Sequence, residues 1–278
     1  MSGVFQGLIA PSLLISALFG GAAAFGWIPY EKLVFLNVWF LSVPHTFATF
    51  FRSDLRTSGR ATLAVLVFSL LLVLCIAFRR SADLSVLILV YFFAQQFHYS
   101  RQNYGFSRMD NAVEGRSSLE TVFYPGVAMI SVLGALSKGP INFFGFAVKN
   151  PLPFEIPAWA TGLTLSCLMA GILLFRPRDR WPHALMHFIL NVALFWFSNS
   201  FVLVWFAINV LHNFQYLLLM IRVERSVQIL AFPYLLSFGL ALIAGLPEMI
   251  LVFISINFTH YLWDARIWRG VDKLLATR

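Results

Sequence analysis

Six histidines are the side chains in this chain best suited to bind a metal ion, because neutral imidazole is a good ligand for iron, zinc, copper and nickel. Each lies within ten residues of an arginine that borders an uncharged segment, and together they are His45, His98, His183, His187, His212 and His260. At a rise of 1.5 Å per residue, this spacing places each histidine about 5–15 Å from that end of a helix. We therefore predict one layer of six candidate metal ligands, drawn from five helices.

The surroundings of several histidines support this prediction. His183 and His187 are four residues apart and share a helix face, the spacing with which two histidines grip one zinc ion in metalloproteases. Asp264 follows His260 by four residues. Its carboxylate could be a further metal ligand, could orient the imidazole, or could instead pair with a nearby arginine. Pro44 directly precedes His45 and is expected to kink or loosen the helix there.

The two cysteines do not fit such a site. Cys75 and Cys167 lie inside apolar segments and are predicted to be small buried side chains. The helices predicted for them contain no histidine. This argues against a cysteine-ligated haem, an iron–sulfur cluster or a zinc-finger-like site.

The elements that position these residues are predicted to be membrane-spanning helices. The 278-residue chain is 59% hydrophobic and only 12% charged, whereas soluble domains are about 25% charged, so an ordinary soluble fold is excluded. A helix needs about 20 predominantly apolar residues to cross a bilayer. Uncharged runs on this scale occupy residues 1–30, 33–51, 61–78, 84–100, 121–137, 156–175, 181–221, 226–244 and 249–263.

The run 181–221 is long enough for two helices, with a natural break at the turn-type residues 197–200. The chain is therefore predicted to be an all-α, polytopic helix bundle of about ten transmembrane helices, forming a single integral membrane domain over residues 1–278. Residues 121–137 are short for a span and an aromatic, proline-rich segment follows them, so nine or eleven spans are alternatives. Residues 1–30 contain no Lys or Arg, which predicts a retained first helix rather than a cleavable signal peptide.

The basic residues orient the predicted bundle. Ten spans place both termini on one side of the membrane, and 15 of the 20 Lys and Arg residues fall on that side. Because loops rich in Lys and Arg stay in the cytoplasm, both termini are predicted to be cytoplasmic, in a multi-pass protein of the bacterial inner membrane. The net charge of +8 then reflects orientation and contact with anionic lipid headgroups, and no nucleic-acid partner is expected.

Four sequence features occur along the chain in an order that can be compared with a known family. They are Pro44-His45 near the cytoplasmic end of an early helix, the segment FHYSRQNYG at 97–105, the segment HNFQY at 212–216, and His260 on the final helix. In order and rough spacing, over most of the chain, this pattern resembles the Brp/Blh family of bacterial and archaeal membrane carotene cleavage enzymes. Tyr216 stands where that family has the second histidine of an HxxxH pair.

The resemblance implies a non-haem iron that binds dioxygen beside an apolar substrate. The implied iron ligands are His45, His98, His212 and one or both of His183 and His187. His260 and Asp264 would be additional ligands or would orient them. The tyrosines that would donate a hydrogen bond to the bound oxygen are Tyr99, Tyr104 or Tyr216. Arg52 and Arg101 would hold a polar or anionic headgroup at the cytoplasmic surface.

The sequence therefore predicts a membrane-embedded, metal-dependent oxygenase that acts on a lipid, a carotenoid or another hydrophobic molecule. The predicted cofactor is mononuclear or dinuclear non-haem iron, with zinc, copper and haem as alternatives, and an electron donor is a further expected partner. A haem-binding electron-transfer protein is one alternative function. A metal or small-molecule transporter is another, but it would place ionisable residues at both depths of the membrane, whereas the histidines are predicted to lie at one.

Overall fold

A computed structural model of the chain describes residues 5–50, 85–111, 118–143, 146–176 and 178–224, together with single residues between 63 and 74 and between 254 and 261. Most of the described residues are helical, which confirms the predicted all-α class. The single residues of the predicted third span are helical as well, and they are Leu63, Val67, Leu70 and Leu74.

The helices of the described residues have the following bounds: α1 Ala10–Ala24, α2 Tyr30–Asn37, α3 Val43–Phe50, α4 Ser85–Asn111, α5 Ser118–Ser137, α6 Ala158–Phe175, α7 Trp181–Trp196 and α8 Phe201–Glu224. A π-helical turn over Val38–Ser42 joins α2 to α3, and a second π-helical turn over Phe5–Ile9 precedes α1. Short 3-10 turns over Arg178–Arg180 and Ser198–Ser200 precede α7 and α8.

Among the described residues, a predicted helix boundary is confirmed, and two segments differ from the prediction. The predicted break at 197–200 is confirmed, because α7 ends at Trp196 and α8 begins at Phe201. By contrast, α4 continues to Asn111, eleven residues beyond the end of the uncharged run at Ser100. Many of the added side chains are buried, so packing keeps this polar stretch helical. The second difference is a short antiparallel hairpin of β1 (Ile141–Phe143) and β2 (Phe146–Val148) in the proline-rich segment.

Four helices of the described residues are long and apolar enough to cross a membrane: Gly7–Ala24, Ser118–Ser137, Ala158–Phe175 and Ser198–Ile221. Helix α6 exposes large apolar side chains such as Leu163 and Leu174, as a lipid-facing helix does. The total of ten spans, the cytoplasmic termini and the inner-membrane location stay predictions. The span expected at 226–244 lies outside the described residues.

One compact unit contains the described residues between Ser85 and Trp205. We call it the central unit because these residues lie in the middle of the sequence. Within it, α5 packs against α4, α6 and α7. Gly134 allows α5 and α6 to approach closely, because a Cβ atom at this position would lie 2.5 Å from Cγ2 of Thr161. The core of the central unit is therefore built around α5.

Two polar contacts join helix ends of the central unit. The carboxylate of Glu120, in the first turn of α5, accepts a hydrogen bond of 2.6 Å from the guanidinium of Arg180, and both side chains are buried. The ammonium of Lys138 donates a hydrogen bond of 2.7 Å to the carbonyl of Phe195 in the last turn of α7. A cation is favourable there because a helix C-terminus carries partial negative charge.

A second compact unit, the flanking unit, contains the described residues between Leu8 and Leu84 and between Phe206 and Asp264. In it, the hydroxyl of Ser16 donates a hydrogen bond of 2.6 Å to the carbonyl of Ala207, and the rings of Phe19 and Phe206 are 6.3 Å apart. These contacts pack α1 against α8. The prediction of a single integral membrane domain stays a prediction.

Candidate metal centre

His45 lies at the start of α3, directly after the π-helical turn. At the end of that turn, the N–H of Val43 donates to the carbonyl of Val38, five residues back. Pro44 has no N–H with which to continue a regular i to i−4 ladder, and the wider turn falls where the ladder is interrupted. This agrees with the expectation that Pro44 loosens the helix next to His45.

Three of the six predicted ligands meet in the flanking unit. They are His45 on α3, His212 on α8 and His260 in a helical segment near the end of the chain. One ring nitrogen from each histidine lies within 4.8 Å of the corresponding nitrogens of the other two, and the Nε2 atoms of His45 and His260 are 2.8 Å apart. All three imidazoles are buried. Residues far apart in the sequence thus converge on one small volume.

This arrangement fits a shared metal ion. Two nitrogens that each lie about 2.1 Å from one ion are about 3 Å apart at a right angle and about 4 Å apart across the ion. The separation of 2.8 Å between the two Nε2 atoms and the common limit of 4.8 Å agree with this range to within small movements. Among the described residues of this unit, the donors that converge are all imidazoles, a ligand set that suits iron, zinc, copper or nickel.

Tyr216 lies against the same histidines. Its ring centroid is 4.2 Å from that of His45 and 6.1 Å from that of His260. The spacing of four residues on α8 places Tyr216 on the same face as His212. Of the three tyrosines predicted to act at the site, Tyr216 is therefore the one found beside the imidazoles of the flanking unit.

His187 lies in the central unit, where both of its ring nitrogens contact protein groups. Its Nε2 donates to the carbonyl of Tyr124 at 2.7 Å, and its Nδ1 accepts from the amide of Asn103 at 3.0 Å. The imidazole thereby joins α7 to α5 and α4. His183, one turn earlier on the same helix, is also buried. The predicted roles of His183 and His187 as ligands stay predictions, which the variants proposed below test.

The other predicted site residues of the central unit lie on α4. His98 and Tyr99 are buried, and Tyr104 and Arg101 are half-buried. The hydroxyl of Tyr99 accepts a hydrogen bond from the amide of Gln95. The roles proposed for these four residues stay predictions. Arg52 and Asp264 lie outside the described residues, so the predicted headgroup and carboxylate contacts are likewise predictions.

The sequence prediction missed a group of buried polar residues close in sequence to His45 and His212 in the flanking unit. Asn37 and Ser42 were not singled out, nor was Asn213, although these side chains interact with Asn209 in the flanking unit. A signal for them exists in the sequence, since uncharged polar residues within apolar runs are uncommon and usually face other helices.

Comparisons of the chain with protein-family models, with curated proteins and with solved structures find no match. The resemblance to the Brp/Blh family therefore stays a prediction.

Proposed function

We propose that this protein is a membrane-embedded enzyme that holds non-haem iron through histidines and oxygenates a hydrophobic substrate such as a lipid or a carotenoid. The observation that carries the proposal is the convergence of three buried imidazoles, His45, His212 and His260, within 4.8 Å. Buried ionisable side chains at membrane depth are costly and mark functional sites. A structural role alone would be served by apolar side chains at less cost.

The ligand set supports a catalytic rather than a purely structural metal. Structural zinc sites are closed by four protein ligands, often thiolates, whereas the ligands supplied by the described part of the flanking unit are imidazoles. The prediction that Cys167 is buried is wrong, because this side chain is exposed on α6 of the central unit; it does not belong to the histidine group. Iron held by nitrogen ligands with open positions supplies dioxygen activation. The sequence prediction adds His98 as a fourth ligand.

The chain's own side chains provide the other requirements of such a site. Tyr216 packs with Leu217 and Met220 into an apolar cluster directly beside the imidazoles. Apolar packing keeps water away and limits side reactions of a strong oxidant. The Tyr216 side chain is the candidate in this unit for donating a hydrogen bond to the reacting oxygen, and a long apolar substrate would approach from the lipid.

The first test is the metal content of the full-length protein purified in detergent. We expect stoichiometric iron in the wild type and at least about a 100-fold loss of affinity in His45→Ala, His212→Ala and His260→Ala, since losing even a hydrogen-bonding partner of a ligand typically lowers affinity 10- to 100-fold. His183→Ala and His187→Ala are matched controls that remove a buried histidine of the central unit. Wild-type protein without any transition metal would refute the proposal, and a Soret absorption band would replace it with haem binding.

The second test concerns the reaction. The wild type is incubated with isotopically labelled dioxygen and an extract of membrane lipids and carotenoids, and the products are analysed by mass spectrometry. We expect labelled oxygen in an apolar product with the wild type and none with His212→Ala. Metal-loaded protein that labels no product would reject the oxygenase activity and leave only metal binding.

A further inference from the structure

A buried network of three asparagines and one serine links α8 to the segment that precedes His45. The side-chain oxygen of Asn209 accepts hydrogen bonds from the amide of Asn37 at 2.6 Å, from the amide of Asn213 at 2.7 Å and from the hydroxyl of Ser42 at 3.1 Å. The Asn213 amide also contacts the Ser42 hydroxyl. All four side chains are at most 2% exposed.

The π-helical turn brings two members of this network onto one face. In a regular α-helix, residues five apart differ in direction by about 140°, because each residue turns the chain by about 100°. In a π turn the hydrogen bond joins residues five apart, so such residues lie nearly one above the other. The turn over Val38–Ser42 therefore lets Asn37 and Ser42 both reach α8.

The network lies next to two of the proposed metal ligands. Ser42 precedes His45 by three residues, and Asn209 precedes His212 by three, which is about one helical turn, or 4.5 Å, in each case. Asn37 contacts Asn209, and His45, later in its segment, contacts His212, later in α8. The contacts therefore follow the same order along both segments. The two segments are thus parallel, and Ser42, Asn209 and Asn213 set their register within about one helical turn of the imidazoles.

We propose that Asn37, Ser42, Asn209 and Asn213 are positioning residues that set the distance between His45 and His212 and thereby the affinity and choice of metal ion. This inference rests on the proposed function. Apolar side chains would pack α8 against its neighbour equally well, but they can slide in register. Directional hydrogen bonds between side chains specify one register, and a metal site requires ligands placed to within about 0.5 Å.

The test compares metal affinity in variants that keep every histidine. Full-length wild type, Asn209→Ala and Asn213→Ala are assayed by competition with a chelator, using Co²⁺ and Zn²⁺ as probes, and the visible spectrum of bound Co²⁺ reports the ligand geometry. We expect unchanged stoichiometry, affinity about 10- to 100-fold weaker, and a shifted Co²⁺ spectrum. A double variant with Asn37→Ala should be no weaker than Asn209→Ala alone, because both break one network.

Asn191→Ala is the matched control, since it removes a buried asparagine of the central unit that donates to the carbonyl of His187. It is expected to lower thermal stability and leave metal affinity unchanged. If Asn209→Ala keeps the wild-type affinity and Co²⁺ spectrum, the positioning role is wrong while the metal site stands. If the wild type binds no metal, the proposed function fails and this inference with it. If Asn209→Ala does not fold, Ser42→Ala decides by the same criteria.

Discussion

Replacing His187 with alanine is expected to destabilise the protein without removing its metal. The sequence predicts one or both of His183 and His187 as metal ligands. In the structure the His187 imidazole joins α7 to α5 and α4 through two hydrogen bonds. The variant therefore separates a ligand from a structural side chain.

The size of the effect follows from the contacts that are lost. Two interhelical hydrogen bonds contribute about 0.6–1.7 kcal/mol each in membrane proteins. The imidazole also packs against the ring of Tyr124 at 4.8 Å, and such ring pairs contribute about 0.5–1.5 kcal/mol. Together these contacts predict a loss of about 2–5 kcal/mol in the free energy of unfolding.

The assay is reversible unfolding in mixed micelles together with metal analysis of the folded fraction. A double-mutant cycle with Asn103→Ala should give a coupling energy of about 0.6–1.7 kcal/mol for the bond between the two side chains. Loss of metal from His187→Ala at unchanged stability would refute this assignment and would restore His187 as a ligand.

Three further predictions concern packing, charge and pH. Gly134→Ala is expected to destabilise the protein by about 1–3 kcal/mol through overpacking against Thr161. Gly162→Ala is not expected to destabilise it in this way, because no atom lies within 4 Å of the added methyl group. Equal thermal stabilities of the two variants would contradict the close packing at Gly134. Glu120→Ala should lower the free energy of unfolding by about 3–5 kcal/mol, because it leaves the buried guanidinium of Arg180 without its carboxylate, and denaturant titration measures this loss. Because protons compete with the metal for neutral imidazole, metal affinity should fall as the pH is lowered, as followed by dialysis and metal analysis. An affinity that rises as the pH is lowered would contradict histidine ligation.

Much of the secondary structure could be predicted because it depends on local properties of the chain. The break between α7 and α8 follows from turn-forming residues in a run too long for one helix. The extension of α4 to Asn111 could not be predicted in this way, since its polar residues resemble a loop until packing against other helices buries them. The π-helical turn was foreseen only as a loosening near Pro44.

The sequence by itself determined the helical class, the apolar character of the helices and the short list of side chains able to bind a metal, because composition and helical periodicity depend on near neighbours along the chain. Only the tertiary structure decided which of them meet. His183 and His187 share a face as their spacing requires, yet the His187 imidazole on that face contacts Tyr124 and Asn103. By contrast, His45 and His260, which are 215 residues apart in the sequence, come into contact. A helical repeat specifies the direction of a side chain relative to its own helix axis, but packing between helices chooses the partner that it faces.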